Sequence, residues 1–233
     1  MTDPRILREL ELDTVVRLYR ASGQAHAEEG EAAPPVARMP APSSNAVVAG
    51  LGWDGLREAV RDCRLCGLCA QRKQAVLGVG DPRAQWLFVG EGPGADEDEQ
   101  GEPFVGQAGK LLDSMLGAIG LRRGEAVYIA NVVKCRPPGN RTPTADEAQA
   151  CAPFLDRQVA LIQPKLIVAL GKSAATRLLG TEASLASLRG KVHRYQGIPV
   201  VVTYHPAYLL RSLPEKAKAW EDLLFARRTL TAA

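Results

Sequence analysis

Five cysteines are the side chains whose spacing most clearly points to chemistry. They are Cys63, Cys66, Cys69, Cys135 and Cys151. The first three form two overlapping C-x2-C pairs, whereas zinc sites usually combine separate pairs or add histidines, so zinc is disfavoured. Lys73 stands where a bacterial ferredoxin run would place its fourth cysteine. Four scattered thiolates suit a cubane iron–sulfur cluster with one cysteine to spare, and buried structural cysteines are the alternative.

A glycine-rich acidic segment is the second feature of interest. It covers residues 90–98 and continues over 101–109. Its glycines allow a ligand to approach the backbone closely, and Glu91 and Glu97 supply carboxylates. The spacing is not that of a dinucleotide-binding fingerprint, because an acidic run and not a helix follows Gly94. A solvated turn is the alternative interpretation.

Two isolated polar residues, Asn131 and His205, end apolar runs. A buried amide needs partners for both its donor and its acceptor, so Asn131 is either structural or reads a ligand with complementary groups. A lone histidine is more often structural, but His205 lies against Pro206 at the end of an apolar run, which favours function. The segment 171–173 is not a phosphate-binding loop, because Leu166 stands where that motif needs a glycine, and we predict a strand-to-helix turn.

Apolar runs of strand length alternate with helical patterns in the part of the chain that positions these residues. The predicted strands cover 85–90, 127–133, 166–170 and 200–204, and the predicted helices cover 107–119, 145–162, 173–179 and 216–230. Such alternation indicates a parallel sheet covered on both faces. Ligands bind these sheets at the carboxyl ends of the strands, where Glu91, Asn131 and His205 all lie.

The composition limits the size of the core and the kinds of partner that the chain can have. The chain has 233 residues, of which 46% are hydrophobic, 24% charged and 5% aromatic, so it can bury one sizeable core and most of it is not disordered by composition. A net charge of +3 is too mild to establish a nucleic-acid partner but allows one if the basic residues cluster.

The chain is predicted to have three parts. Residues 1–23 hold an amphipathic helix, 24–50 form an Ala/Pro-rich linker and 51–233 form the folded domain. A secretory signal and a membrane span are both missing from the pattern, so we expect a cytoplasmic protein whose cysteines stay reduced.

Together these segments resemble the iron–sulfur uracil-DNA glycosylases, family 4 of the uracil-DNA glycosylase superfamily. The matching motifs are GEGPG at 90–94 with Glu97 and Asp98, PFVG at 103–106, Asn131 with KCRPP at 134–138, Asn140 with Arg141, and HPAYLLR at 205–211. Each motif alone is weak, but the combination is specific. The resemblance covers the chain from about residue 51 to its end.

The resemblance implies an α/β fold, a three-layer α/β/α sandwich around a central four-stranded parallel sheet. It also implies a [4Fe-4S] cluster held by Cys63, Cys66, Cys135 and Cys151, with Cys69 as the extra cysteine. A related branch that is trapped covalently on uracil carries a histidine-containing insert after the second strand. Residues 139–143 contain no histidine, so we do not expect trapping.

The resemblance further implies a monofunctional DNA-repair hydrolase. It would flip deoxyuridine out of DNA, hydrolyse the N-glycosidic bond, release uracil and leave an abasic site. The implied substrate-binding residues are Gly92, Glu97, Phe104 and Asn131. In this scheme Phe104 stacks on the flipped ring, Asn131 reads O4 and N3–H of uracil, and Glu97 crowds the 5-position so that thymine is excluded.

The implied catalytic residues are Glu91, His205 and Asn140. His205 donates to O2 as negative charge develops on the leaving uracil. Glu91 orients water or stabilises the cationic sugar, and Asn140 assists it. A wedge that fills the gap in the duplex is expected from Leu209, Leu210 and Arg211.

The expected partner is uracil-containing DNA, double- or single-stranded, bound by a monomer that has no membrane association. Two alternative functions remain open. An electron-transfer or redox-sensing iron–sulfur protein explains the cysteines but leaves Asn131 and His205 unexplained. A nucleotide-binding module without catalysis is supported only by the glycine-rich segment.

Overall fold

The computed structural model describes residues 44–231, whose strands form one six-stranded sheet. The strands are β1 (Val79–Gly80), β2 (Trp86–Gly90), β3 (Val127–Asn131), β4 (Leu166–Leu170), β5 (Val192–Tyr195) and β6 (Ile198–Thr203). Their order is β1-β3-β2-β4-β6-β5, with the central four parallel and both edge strands antiparallel. The predicted α/β class and the four parallel strands are confirmed. The four predicted strands do not include the two edge strands, because β1 has only two residues and β5 has no apolar run.

Strands β2, β3 and β4 are buried along their whole length. Successive side chains of a strand point to opposite faces, so each strand contributes to two cores. In β2, Leu87 and Val89 enter one core, whereas Trp86 and Phe88 enter the other. A sheet that is apolar on both faces requires a layer of helices on each side.

Helices supply both layers. They are α1 (Ser44–Ala49), α2 (Trp53–Arg61), α3 (Ala95–Gln100), α4 (Gln107–Ala118), α5 (Ala145–Ile162), α6 (Lys172–Leu179), α7 (Leu185–Leu188), α8 (Pro206–Leu209) and α9 (Glu215–Thr231), with short 3₁₀ helices at Gly67–Ala70 and Pro138–Asn140. Helices α4 and α9 pack on one face of the sheet, and α2, α5, α6 and α7 pack on the other. This arrangement is the predicted three-layer sandwich.

The acidic run after Gly94 differs from its prediction. It forms helix α3, which begins after Gly94 and ends at Gly101 in the left-handed conformation. The run contains almost no apolar residues, so the sequence shows no helical periodicity there. Three carboxylates in the first turn of α3 lie at the positive end of the helix and stabilise it. The turn predicted at Gly171 is confirmed, because this residue has φ +90° and links β4 to α6.

The start of the folded part also differs from its prediction. Helix α1 lies within the predicted linker 24–50, and its Val48 side chain is buried in the core on the α5 side. The predicted N-terminal helix within 1–23, and the linker up to residue 43, lie outside the described residues. Among residues 44–231, no helix has the length and apolar character needed to cross a membrane.

Candidate active site

The carboxyl ends of β2, β3, β4 and β6 open into one cavity of about 510 Å³. This is the edge of the sheet at which the sequence placed the site. Eight of the predicted site residues line the cavity, namely Glu91, Gly92, Glu97, Phe104, Asn131, Asn140, His205 and Arg211. The parallel register of the strands is what brings these residues together from distant parts of the chain.

Asn131 ends β3 and is almost completely buried, with 2% of its surface exposed. Its side-chain oxygen Oδ1 has no hydrogen-bond partner. Gly90 lies beside it in the register, and a Cβ at that position would come within 2.5 Å of Oδ1. An unpaired buried acceptor is costly unless a ligand supplies the donor, so this amide is available for recognition.

His205 precedes α8, and its ring nitrogen Nδ1 accepts a hydrogen bond from the Ala207 backbone N–H at 3.2 Å. Burial, together with the nearby Arg211 charge, lowers the pKa of His205 to about 4. The imidazole is therefore neutral at neutral pH. Because Nδ1 is an acceptor, the proton of the neutral ring is on Nε2, which makes that nitrogen a hydrogen-bond donor.

Phe104 lies against His205, with ring centroids 5.4 Å apart and planes inclined by 30°. Its backbone has φ +57°, a conformation that costs a non-glycine residue about 1–3 kcal/mol. A Cβ on Gly90 would come within 2.5 Å of its ring, so the glycine provides the room for the ring. The strained backbone thus presents a flat apolar surface between β2 and β6.

Glu91 follows β2 and is half-buried at the cavity wall. The Ser173 hydroxyl, near the start of α6, donates to Oε2 of Glu91. Ser173 also lines the cavity but was missed as a site residue, because the segment 171–173 was judged only against the phosphate-binding motif. Its position directly after a strand end was the signal that could have identified it.

Glu97 lines the cavity, but its carboxylate is engaged by the backbone. Oε1 accepts from the N–H groups of Val105 and Gly106 at 3.0 and 3.2 Å, and Oε2 accepts from Gly94 at 3.0 Å. These bonds make Glu97 a tie between α3 and the turn that carries Phe104. The predicted contact with the 5-position of the base remains a prediction.

Asn140 is exposed at the cavity rim, where its Oδ1 accepts from Nε of Arg136 at 2.7 Å. Lys172 also lines the cavity, but its ammonium group donates to the Ala183 carbonyl at 2.7 Å. Both side chains are therefore held by other protein groups, and the catalytic part assigned to Asn140 remains a prediction.

The predicted wedge needs a correction. Leu209 is 1% exposed and packs beside α4 and α9, so its side chain belongs to the core and is not presented to DNA. Leu210 is 42% exposed, and Arg211 is exposed at the cavity rim. Leu209 ends α8 with its side chain in the core, whereas Leu210 follows the helix and is exposed, which leaves Leu210 and Arg211 as the exposed pair.

All five cysteines line a second pocket, on the α2 and α5 side of the sheet, and none of the five forms a disulfide bond. Nη1 of Arg72 donates to Sγ of Cys135 at 2.8 Å, and the Lys134 backbone N–H donates to Sγ of Cys151 at 3.3 Å. Burial raises the pKa of Cys151 to about 12. Within residues 44–231, no three Cys, His, Asp or Glu side chains are grouped so that they could hold a single metal ion.

Lys134 links this cysteine pocket to the cavity. Its side chain is buried, and Nζ donates to the Asn131 carbonyl at 2.8 Å and to Oε1 of Gln158 at 2.5 Å. Burial lowers the pKa of Lys134 to about 8. The lysine thus supports the backbone of the residue whose amide faces the cavity.

Comparisons with known proteins agree with this geometry. Residues 77–224 match the model of the uracil DNA glycosylase superfamily. A type-4 uracil-DNA glycosylase of Pyrobaculum aerophilum is 44% identical over 72% of this chain and 89% of the relative, and one of Thermotoga maritima is 48% identical over 66% and 81%. A type-5 uracil-DNA glycosylase of Pyrobaculum aerophilum is 33% identical over 56% and 64%. The chain therefore belongs to the uracil-DNA glycosylase superfamily and, within it, to the type-4 family.

Proposed function

We propose that the protein is a DNA repair glycosylase that flips deoxyuridine out of DNA, hydrolyses its N-glycosidic bond and leaves an abasic site. The observation that carries this proposal is the buried Asn131 amide, whose Oδ1 lacks a partner within a cavity of suitable size. The type-4 relatives carry uracil-DNA glycosylase in their names. The flipped base supplies the missing donor.

Asn131 and Phe104 select the base. Oδ1 of Asn131 accepts from N3–H of uracil, and its amide donates to O4. Cytosine presents the opposite pattern, an acceptor at N3 and a donor at position 4, so it would leave the amide unsatisfied. The Phe104 ring supplies the surface on which the extruded base stacks.

His205 assists departure of the base. Cleavage of the N-glycosidic bond develops negative charge on uracil, and Nε2–H of the neutral His205 donates to O2 as that charge grows. A donor that is already oriented and shielded from water stabilises the transition state more than the ground state. The hydrogen bond from Ala207 holds the ring in the required tautomer.

Water is the nucleophile in this proposal. Glu91, held by Ser173, orients the water or stabilises the cationic sugar, and Asn140 assists from the rim. A covalent imine with the sugar would need a free amine, and the Lys172 ammonium group is bound to the Ala183 carbonyl. This arrangement supports a monofunctional enzyme.

A uracil-release assay tests the proposal. Oligonucleotides with one uracil, one cytosine or one thymine at the same position are incubated with the protein and then treated with alkali, which cleaves abasic sites. We expect strand cleavage only with uracil. A protein that contains iron but cleaves none of the three would favour the electron-transfer alternative.

Leu210 is proposed as the residue that fills the gap left by the base. Leu210→Ala should slow excision from a U:A duplex more than from a single strand, because only the paired base carries the full cost of unpairing and unstacking. Single-turnover rates on the two substrates give the comparison.

Leu209→Ala should instead lower the free energy of unfolding by about 2–5 kcal/mol, because it leaves a buried cavity.

Equal losses of Leu210→Ala on the duplex and on the single strand would remove the wedge assignment. Val192→Ala is the matched control, because Val192 is an exposed apolar residue on β5 outside the cavity. It should leave the rates on both substrates unchanged.

The cysteine pocket is proposed to hold a [4Fe-4S] cluster through Cys63, Cys66, Cys135 and Cys151. Five thiols that meet in one pocket, with N–H donors directed at the sulfurs of Cys135 and Cys151, fit the chemistry of such a group. The Arg72 guanidinium and the buried Lys134 offset the negative charge of the thiolates. When bound, the cluster would join the segment before β1 to the β3 end and α5.

Cys69→Ala should keep the iron, because Cys69 is the proposed spare cysteine, whereas Cys63→Ala should lose it. Iron and sulfide per chain, together with the visible absorbance, are the measurements. Loss of iron in Cys69→Ala with retention in Cys63→Ala would overturn the ligand assignment.

The proposed partner is uracil-containing DNA, single- or double-stranded, and the proposed enzyme acts as a monomer. The thiols that would bind the cluster require a reducing compartment, so we propose a cytoplasmic location.

A further inference from the structure

The turn that carries Phe104 is held from two sides by charged side chains. Glu97 binds its N–H groups at Val105 and Gly106. On the opposite side, the Arg123 guanidinium donates from Nη1 to the Pro103 carbonyl and from Nη2 to the Phe104 carbonyl, each at 2.8 Å. Backbone groups on both sides of the strained residue are therefore hydrogen-bonded to these two side chains.

Arg123 is itself fixed in place. Its Nε donates to Oδ1 of Asp113 on α4 at 3.1 Å, and the Arg123 side chain is only 22% exposed. Gly109, on the same helix, lies so close that a Cβ there would be 1.7 Å from the Phe104 carbonyl oxygen. That oxygen is confined between α4 and the guanidinium, which leaves the φ +57° backbone of Phe104 little freedom to relax.

Arg123 does not line the cavity. It acts on the site through its hydrogen bonds to the Pro103 and Phe104 carbonyls, and Phe104 carries the ring that lies against His205. Two adjacent carbonyls and a carboxylate match the planar fork of a guanidinium, whereas a lysine ammonium cannot donate to all three in the same geometry.

We propose that Arg123 is a positioning residue that holds the Phe104 ring at the angle needed to stack on the flipped base. The inference rests on the proposed function and deepens it, because it concerns how the same site binds uracil. Loss of the guanidinium removes both carbonyl partners and lets the turn relax. A ring displaced by about 1 Å is enough to cost roughly a hundredfold in rate.

The test compares Arg123→Ala, Arg123→Lys, Phe104→Ala and the double variant Arg123→Ala with Phe104→Ala. Arg122→Ala is the matched control, since Arg122 pairs with Glu125 at 3.1 Å on the surface and does not touch the turn. The measurements are the single-turnover rate of uracil release, inhibition by free uracil and the melting temperature. Inhibition by free uracil reports on how well the base stacks in the cavity, because the free base needs neither extrusion from DNA nor bond cleavage to bind.

Arg123→Ala should lower the rate by roughly 10- to 100-fold and weaken inhibition by uracil, while Arg122→Ala matches the wild type. Arg123→Lys should have a rate and an inhibition by uracil between those of Arg123→Ala and the wild type. Because Arg123 acts through Phe104, adding Arg123→Ala to Phe104→Ala should reduce the rate by less than about twofold further. If Arg123→Ala fails to fold, the same two readouts on Arg123→Lys decide.

The inference is overturned if Arg123→Ala and Arg123→Lys bind uracil like the wild type, or if the effects of Arg123→Ala and Phe104→Ala multiply in the double variant. Absence of uracil release by both the wild type and Arg122→Ala would instead overturn the proposed function. The two failures are therefore distinguishable.

Discussion

Replacing His205 by alanine is expected to lower the single-turnover rate of uracil release by roughly a hundredfold or more, the usual loss when one preorganised donor is removed. The reason is that Nε2–H meets negative charge that exists only as the bond breaks. The affinity for DNA should change little, because His205 is not expected to contact the phosphates. Rates at saturating enzyme and binding to a non-cleavable analogue separate the two effects.

His193→Ala is the matched control for this variant. His193 lies on β5, bonds to the Leu188 carbonyl at 2.8 Å and does not line the cavity. Near-normal cleavage by His205→Ala at saturating enzyme would remove the leaving-group role.

The pH dependence provides a second test of His205. Because burial lowers its pKa to about 4, the ring is already neutral across the range in which an ordinary histidine titrates, near pH 6.5. His205 should therefore contribute no inflection to the rate near pH 6.5. An inflection there that disappears in His205→Ala would show that the pKa of the ring is not lowered and that His205 titrates in the ordinary range.

Asn131→Asp is expected to lower uracil release by roughly a hundredfold or more and to weaken discrimination between uracil and cytosine. The variant loses the amide donor to O4 and places a carboxylate where only 2% of the residue is exposed. Single-turnover rates on uracil and cytosine oligonucleotides measure both effects. A rate on uracil at the wild-type level would mean that the amide is structural.

Gln163→Glu is the control for the chemical change itself. It makes the same amide-to-acid substitution at an exposed position that ends α5, away from the cavity. It should leave both the rate and the base preference unchanged. A parallel measurement of the melting temperatures shows how much of the Asn131→Asp effect comes from destabilisation.

The placement of Glu91, Asn131 and His205 at one site was predictable, because it follows from two general rules. Alternating apolar strands and helices imply a parallel sheet, and the carboxyl ends of parallel strands meet at one edge. The roles proposed for Phe104 and Glu97 came only from the family resemblance. The local pattern shows neither the positive φ of Phe104 nor the backbone bonds of the Glu97 carboxylate.

The contacts of Ser173 and Arg123 were not predictable from local patterns. The Ser173 hydroxyl donates to Glu91, which lies 82 positions earlier in the chain. Arg123, in the turn before β3, donates to the Phe104 carbonyl. The sequence also could not show whether Leu209 or Leu210 faces solvent, because α8 has only four residues and therefore no readable periodicity. The position of Ser173 after β4 could have marked it as a site residue, but the partners of Ser173 and Arg123 depend on packing between elements that the sequence pattern does not show.

The proposed reaction is hydrolysis of the bond between uracil and the DNA sugar. The most direct test is the reaction of a single-uracil oligonucleotide in ¹⁸O-labelled water, with both products analysed by mass spectrometry. We expect one unlabelled free uracil for each abasic site and the label on the sugar carbon that held the base, provided that the label is read before the sugar aldehyde exchanges with water. Intact DNA, or release of uracil still attached to its sugar, would contradict it.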